Sequence, residues 1–73
     1  MTTAELLMFL GKNPIRSCII DISDSEPIVT LLCGATSLRN VPSDQLQELL
    51  AHGLLPPYIA EHLISLDIIS RSS

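Results

Sequence analysis

The chain of 73 residues is predicted to fold as a single α+β domain: an N-terminal helix, a two-stranded antiparallel hairpin and two C-terminal helices. Three observations predict this class. Hydrophobic residues make up 47% of the chain, which is enough for a core and too many for intrinsic disorder. Two runs of β-branched residues and leucine lie on either side of a turn sequence. Apolar residues recur at helical spacing in three other segments.

The segment "TTAELLMFLGKNP" predicts the first helix. Thr2 and Glu5 have the spacing of a capping box, Gly11 suits the C-terminal stop, and Pro14 prevents continuation. Three leucines are expected to face the core: Leu6, Leu7 and Leu10.

The hairpin is predicted over residues 17–23 and 28–34, with "DSEP" between them as a four-residue loop. A turn centred between Ser25 and Glu26 predicts three facing pairs on one apolar side of the hairpin: Ile22 with Val29, Ile20 with Leu31, and Cys18 with Cys33. Because side chains alternate along a strand, the other side is expected to carry a mixed set. Its members are Ile19, Asp21, Ser23, Ile28, Thr30 and Leu32.

The C-terminal half predicts two helices after the connector "ATSLRNVP". Ser43 is expected to cap a helix over about residues 44–52 that Gly53 terminates. Pro56 or Pro57 then starts a last helix that runs to about Ile68, since proline is tolerated in a first turn. Residues 70–73 are expected to form a flexible tail of the single domain 1–73.

The formal net charge is −4, from eight acids and four bases. Nucleic-acid binding normally needs clustered Lys and Arg to displace counterions, whereas the bases here are scattered singly. A DNA-binding repressor with a helix-turn-helix-like C-terminal half is an alternative, but the last helix carries no Lys or Arg. A basic protein surface is the better electrostatic match, and no direct contact with nucleic acid is expected. A second alternative is an antitoxin-like homodimer, in which spare aliphatic residues meet across a two-fold axis.

Two cysteines and two histidines are the ligand types of a zinc site, but the cysteines lack the close spacing of a zinc knuckle. Free cysteine is commonly buried as a small hydrophobe, so free thiols are expected rather than a disulfide or a metal site. No catalytic constellation and no Gly-rich phosphate loop is evident. We therefore expect a protein without catalytic residues, metal or cofactor.

The hairpin is the best candidate for a partner-binding site. Asp21, Asp24 and Glu26 would pair with basic side chains of the partner, with no base in the same stretch. The apolar and strand-edge contact is assigned to three neighbours: Ile19, Thr30 and Leu32. Secondary candidates are helix residues expected to project away from the core: Glu5, Met8 and Phe9.

Taken as a whole, the chain resembles small phage-encoded transcription regulators that bind bacterial RNA polymerase, of the kind found in a Xanthomonas phage. The resemblance rests on the length, the opening "MTTAELLMFLGKNP", and the acidic hairpin followed by "SDQLQELLAHGLLPPYIAEHL". It implies a non-enzymatic protein that docks on the N-terminal region of the β′ subunit near the RNA exit channel. The implied effects are inhibition of sigma-dependent initiation and antitermination, the latter with the elongation factor NusA.

No targeting segment and no membrane span is recognisable in the sequence. The expected location is accordingly the host bacterial cytoplasm.

Overall fold

The computed structural model describes residues 2–71. Its elements, in chain order, are α1 (Thr3–Lys12), β1 (Ser17–Asp21), β2 (Ile28–Cys33), β3 (Thr36–Leu38), α2 (Ser43–Ala51) and α3 (Pro57–Ser65). The α+β class is confirmed, with one helix before the sheet and two after it. The strand count is wrong, because the sheet is antiparallel with three strands in the order β1-β2-β3.

The third strand lies in the segment that was predicted as a connector. Cys33 pairs with Thr36, so only Gly34 and Ala35 form the loop between β2 and β3. Gly34 has a φ of 69°, the left-handed value that the first loop position of a type II′ turn requires. The glycine directly after the apolar run of β2 was the sequence signal for this turn.

An extra residue interrupts the pairing beyond β3. Leu31 lies opposite Leu38, a register that would bring residue 40 opposite Val29. Instead the Val41 N–H donates to the Val29 carbonyl at 2.9 Å. Asn40 takes up the additional residue with a left-handed φ of 54°, as in a β-bulge. The segment after β3 therefore continues along β2.

The predicted register of the β1–β2 hairpin is wrong by two residues. Ile20 lies opposite Val29 and Cys18 opposite Leu31, and β1 ends at Asp21. A shift of two positions preserves which side chains share a face, so the predicted assignment of faces within the strands still applies. Ile22 and Ser23 are exceptions, because both lie beyond the strand, and Ile22 is 66% exposed.

The three helices cover one face of the sheet. Alternate residues of β2 are buried, and those of β1 on the same face are half-buried. The largest fully buried side chains come from β2, α2 and α3: Leu31, Leu46, Leu49, Ile59, Leu63, Val29 and Cys33. Leu6 and Leu10 of α1 are buried in the same core, and Leu7 packs against it. The helices thus supply the cover that a small sheet needs to be stable.

The N-terminal capping box of α1 is confirmed. The Glu5 N–H donates to the Thr2 hydroxyl at 3.2 Å, and the Thr2 N–H donates to the Glu5 carboxylate at 3.1 Å. The predicted stop at Gly11 is wrong, because the helix runs through it to Lys12 and Asn13 caps it. The Asn13 amide donates to the Phe9 carbonyl at 3.1 Å, which satisfies a carbonyl of the last turn.

The predicted cap of α2 is also wrong. Ser43 is the first helical residue, and Pro42 occupies the N-cap position with no side-chain hydrogen bond. Proline has extended backbone there, at φ −65° and ψ 153°, so the helix begins one residue earlier than expected.

Both C-terminal helices end in a Schellman motif. Gly53 confirms the predicted stop of α2, with φ 70°. In α3 the left-handed position is Asp67, with φ 64°. The Asp67 N–H donates to Ile64 and the Ile68 N–H to Leu63, each at 3.0 Å. The expectation that α3 reaches Ile68 is therefore wrong, since the chain reverses at Asp67.

The start of the predicted tail is attached to the helices. Ser70 exchanges two backbone hydrogen bonds with the Gln47 side chain, at 2.8 and 2.9 Å. The Arg71 guanidinium lies 2.8 Å from the Glu61 carboxylate. Ser72 and Ser73 lie outside the described residues.

Candidate protein-binding surface

The sheet face away from the helices, called here the outer face, carries Ile19, Asp21, Ile28, Thr30 and Leu32. Ile19 lies opposite Thr30, and Asp21 lies opposite Ile28. Ile19 is 57% exposed, and the three β2 side chains are half-buried. The pleat thus brings apolar side chains and one carboxylate together on a single surface. Ser23, which was expected on this face, lies in the loop beyond β1.

Asp21 ends β1 and organises the loop that follows. Its Oδ1 accepts the Ser23 backbone N–H at 2.9 Å and the Ser23 hydroxyl at 2.6 Å, as in an Asx turn. The side-chain hydrogen bond, followed by the backbone one, lowers the pKa of this carboxyl from its ordinary value. Asp21 is therefore held as a carboxylate at neutral pH, beside the apolar outer face.

Residues 22–27 form the loop between β1 and β2, called here the acidic loop. Asp24 and Glu26 are exposed, and within the described part of the chain no donor hydrogen-bonds to either carboxylate. Ile22 is exposed in the same loop, so an aliphatic side chain lies next to the acids in sequence. Sequence reasoning missed Ile22 because it assigned this residue to the core. The signal that could have found it was the Asx-turn pattern of Asp21 and Ser23, which terminates the strand.

A groove of about 520 Å³ borders the acidic loop. Its wall is formed by the loop end at Glu26 and Pro27, by the start of α2 and by the chain after α3. Glu26 and Asp67 both line it, with the bulge residue Asn40. A second hollow of about 400 Å³ extends from Asn40 along the loop to Asp24. The groove has acidic side chains at its walls, which favours a basic group over an anion as its occupant.

The secondary candidates on α1 have different environments. Met8 is 70% exposed. The Glu5 carboxylate forms the capping box, and the backbone hydrogen bond from Thr2 lowers its pKa. Phe9 is half-buried and packs against the core, so the expectation that it projects away from the core is wrong. None of the three belongs to the outer face or lines the groove.

The cysteines do not face each other across the hairpin. Cys18 lies opposite Leu31 and Cys33 opposite Thr36, because the register differs from the predicted one. Both are free thiols, and burial raises the pKa of each. Among residues 2–71, no group of three or more histidine, cysteine or acidic side chains is placed to hold a metal ion.

The exposed side of α3 bears on the DNA-binding alternative. Its exposed residues include Tyr58, Glu61, His62 and Ser65, and none of these is a lysine or arginine. The nearby base, Arg71, is already paired with Glu61. A helix with this surface would be repelled by phosphates in a major groove.

Comparisons with family models, with curated proteins and with solved structures found no match for this chain. In the described part of the chain no helix is long and apolar enough to cross a membrane.

Proposed function

We propose that this protein is a non-enzymatic transcription regulator that binds a bacterial RNA polymerase in the cytoplasm of a phage-infected host. The contact is assigned to the N-terminal region of the β′ subunit near the RNA exit channel. Binding there would inhibit sigma-dependent initiation and cause antitermination, with NusA cooperating during elongation. The sequence resemblance supports the choice of target, and the exposed side chains of the acidic loop and outer face support the choice of surface.

One observation carries the choice of surface: unpaired carboxylates lie next to exposed aliphatic side chains at one end of the sheet. Within the described residues no donor hydrogen-bonds to the carboxylate of Asp24 or Glu26, so both can pair with lysine or arginine of a partner. Ile19 and Ile22 are more than half exposed and close in sequence to these acids. A surface that joins apolar area to one sign of charge is typical of a protein-binding site.

The net charge supports the same interpretation. At −4, the protein is repelled by nucleic acid and attracted to basic protein surfaces. An effect on RNA would therefore come through the polymerase. Attraction between exposed charges is screened by salt, so the association rate should fall as ionic strength rises.

The test is a binding measurement with purified Xanthomonas RNA polymerase and two charge-reversal variants. The first is Asp24→Lys with Glu26→Lys on the acidic loop. The matched control is Glu48→Lys with Glu61→Lys, on helix surfaces away from the loop. Each reversal adds two charges, so both variants have a formal net charge of 0. The control also breaks the exposed ion pair of Glu61 with Arg71, a change expected to cost little stability.

The loop variant is expected to bind about tenfold or more weakly, since charge-assisted pairs are lost and replaced by repulsion. The control should bind close to the unaltered protein, and both should give the same circular dichroism spectrum. Equal weakening by the two variants would mean that net charge alone matters. Absence of binding by the unaltered protein would refute the polymerase as the partner.

Promoter and terminator templates then report the effect on transcription. Addition of the protein should lower sigma-dependent transcript yield and raise read-through of an intrinsic terminator, more so with NusA. The loop variant should lose both effects together, because both depend on the same docking event.

A further inference from the structure

We propose that the free edge of β1 accepts an extended, basic segment of the partner as a fourth, antiparallel strand. This inference rests on the proposed function only in that the partner is the same protein. The added strand would form backbone hydrogen bonds to β1, with one of its apolar residues on Ile19 and one of its basic residues on Asp21.

The outer edge of β1 is unpaired within the described residues, because β1 has only β2 as a neighbour. The hydrogen bonds of β2 show which groups of β1 point outward. The Val29 carbonyl accepts from the segment after β3, so the peptide groups of Val29 face away from β1. Peptide groups alternate along a strand, so Thr30 bonds to Ile19 opposite it. Cys18 and Ile20 then direct their N–H and C=O groups to the free edge.

An added strand would pair with Cys18 and Ile20 through these groups. Its residue opposite Ile19 would lie on the outer face, beside a side chain that is 57% exposed. The residue two positions away would lie opposite Asp21 on the same face. The predicted recognition pattern is therefore a basic residue followed, two positions later, by an apolar one. A carboxylate has several lone-pair sites, so the two bonds from Ser23 leave room for a basic partner.

The edge is open over the part of β1 that carries these groups. Tyr58 at the start of α3 donates its hydroxyl to the Arg16 carbonyl at 2.7 Å. This contact holds the chain just before β1 and places α3 at that end of the strand. From Cys18 to Asp21 no other element pairs with the edge within the described residues.

Charge selects a basic segment over a second copy of this chain. Between Ser17 and Cys33 there are three acids and no base. Antiparallel pairing of β1 with another β1 would place the two acidic loops at opposite ends of the ladder, but it would still join two chains of net charge −4, which repel each other. A short edge strand that ends in a carboxylate resists such self-pairing. A lysine- or arginine-bearing strand would instead gain from the same charges.

The probe is a synthetic peptide of eight residues in which every second residue is threonine. The four positions between the threonines carry two lysines and then two valines. Its lysines and valines would lie on the outer face, and its threonines would pair with Cys18 and Ile20. One derivative is N-methylated at the threonine amides, and a matched derivative at the lysine and valine amides. Only the first loses the N–H groups that point at β1.

Titration of the isotope-labelled protein should slow hydrogen exchange of the Cys18 and Ile20 amides. The threonine-methylated peptide should bind about tenfold or more weakly than its matched derivative, since each lost backbone hydrogen bond lowers affinity. Equal loss by both derivatives, or shifts confined to the helices, would overturn strand addition. So would protection of the same two amides by raised protein concentration alone, which would make the occupant a second copy.

A protein variant separates this inference from the polymerase proposal. Cys18→Pro removes an outward N–H and leaves the bonds between β1 and β2 intact, a position where edge strands tolerate proline. It should weaken polymerase binding. Polymerase binding unaffected by a folded Cys18→Pro variant would overturn strand addition alone. Peptide binding at the edge without polymerase binding would refute the polymerase alone.

Discussion

Replacement of Asp67 by glycine is expected to stabilise the protein. Asp67 ends α3 with φ 64°, the left-handed conformation in which Gly53 ends α2 with φ 70°. Residues with a Cβ rarely adopt it, because Cβ approaches the following carbonyl oxygen. Asp67 is also an acid at the C-terminal end of a helix, where the dipole disfavours negative charge.

The magnitude follows from three contributions. A left-handed conformation costs a residue with a side chain roughly 1–2 kcal/mol, with aspartate near the lower end. Glycine removes this cost, but it also lowers the free energy of unfolding by about 0.5 kcal/mol or more, because it raises the entropy of the unfolded chain. Removal of the unfavourable charge adds to the gain. The net expectation is a free energy of unfolding higher by about 1 kcal/mol, or about 4–8 °C in Tm for a domain of this size.

The assay is urea denaturation followed by circular dichroism, with two companion variants. Asp67→Asn keeps a residue that tolerates the left-handed region and removes the charge, so it should give a smaller gain. Gly53→Ala should lower stability by about 1 kcal/mol. A Cβ at Gly53 would meet no atom within 4 Å, so that loss isolates the backbone conformation from any steric clash.

Two results would refute this reasoning. A loss of stability in Asp67→Gly would mean that the carboxylate makes a stabilising contact that exceeds the backbone strain. An equal gain in Asp67→Gly and Asp67→Asn would assign the whole effect to charge and none to the left-handed conformation.

Three further perturbations test the fold. Thr2→Ala should lower the stability of α1 by about 1 kcal/mol, because it removes the capping hydroxyl, while Thr2→Ser keeps a hydroxyl and should not. An equal loss of stability in the two variants would exclude the capping box as the cause. Hydrogen bonds from Ser23 lower the pKa of Asp21 in the folded state. These bonds therefore stabilise the folded protein at pH values above the ordinary pKa of aspartate, and the stabilisation is lost as the pH falls through the pKa of Asp21 in the folded protein. Ser23→Ala should therefore flatten the stability profile below about pH 4, and an unchanged profile would contradict this. Iodoacetamide should modify Cys18 slowly and Cys33 only on unfolding, because burial raises the pKa of both thiols; rapid labelling of native Cys33 would exclude its burial.

Much of the architecture was predictable because its signals are local. The capping box of α1 depends on Thr2 and Glu5 three positions apart, and it formed as expected. The glycine stop of α2 is likewise a property of one residue, Gly53. The stop of α3 had no such signal, since Asp67 occupies a position that usually selects glycine.

The strand β3 escaped sequence reasoning because it has only three residues and weak alternation. The candidate site was predictable in part. Its apolar and acidic side chains share a face whichever of the two registers forms, since a shift of two residues preserves alternation. The exposure of Ile22 depended on the register itself and was missed for that reason.

By itself the sequence determined the α+β class, the order of helices around a hairpin, and which side chains of β1 and β2 share a face. These follow from periodicity and capping, which need only neighbouring residues. Only the tertiary structure decided the register of β1 on β2, the third strand and the free edge at Cys18 and Ile20. These features depend on which residue forms backbone hydrogen bonds with Val29. The Val29 carbonyl accepts from Val41, a residue beyond β3 that no local pattern specifies.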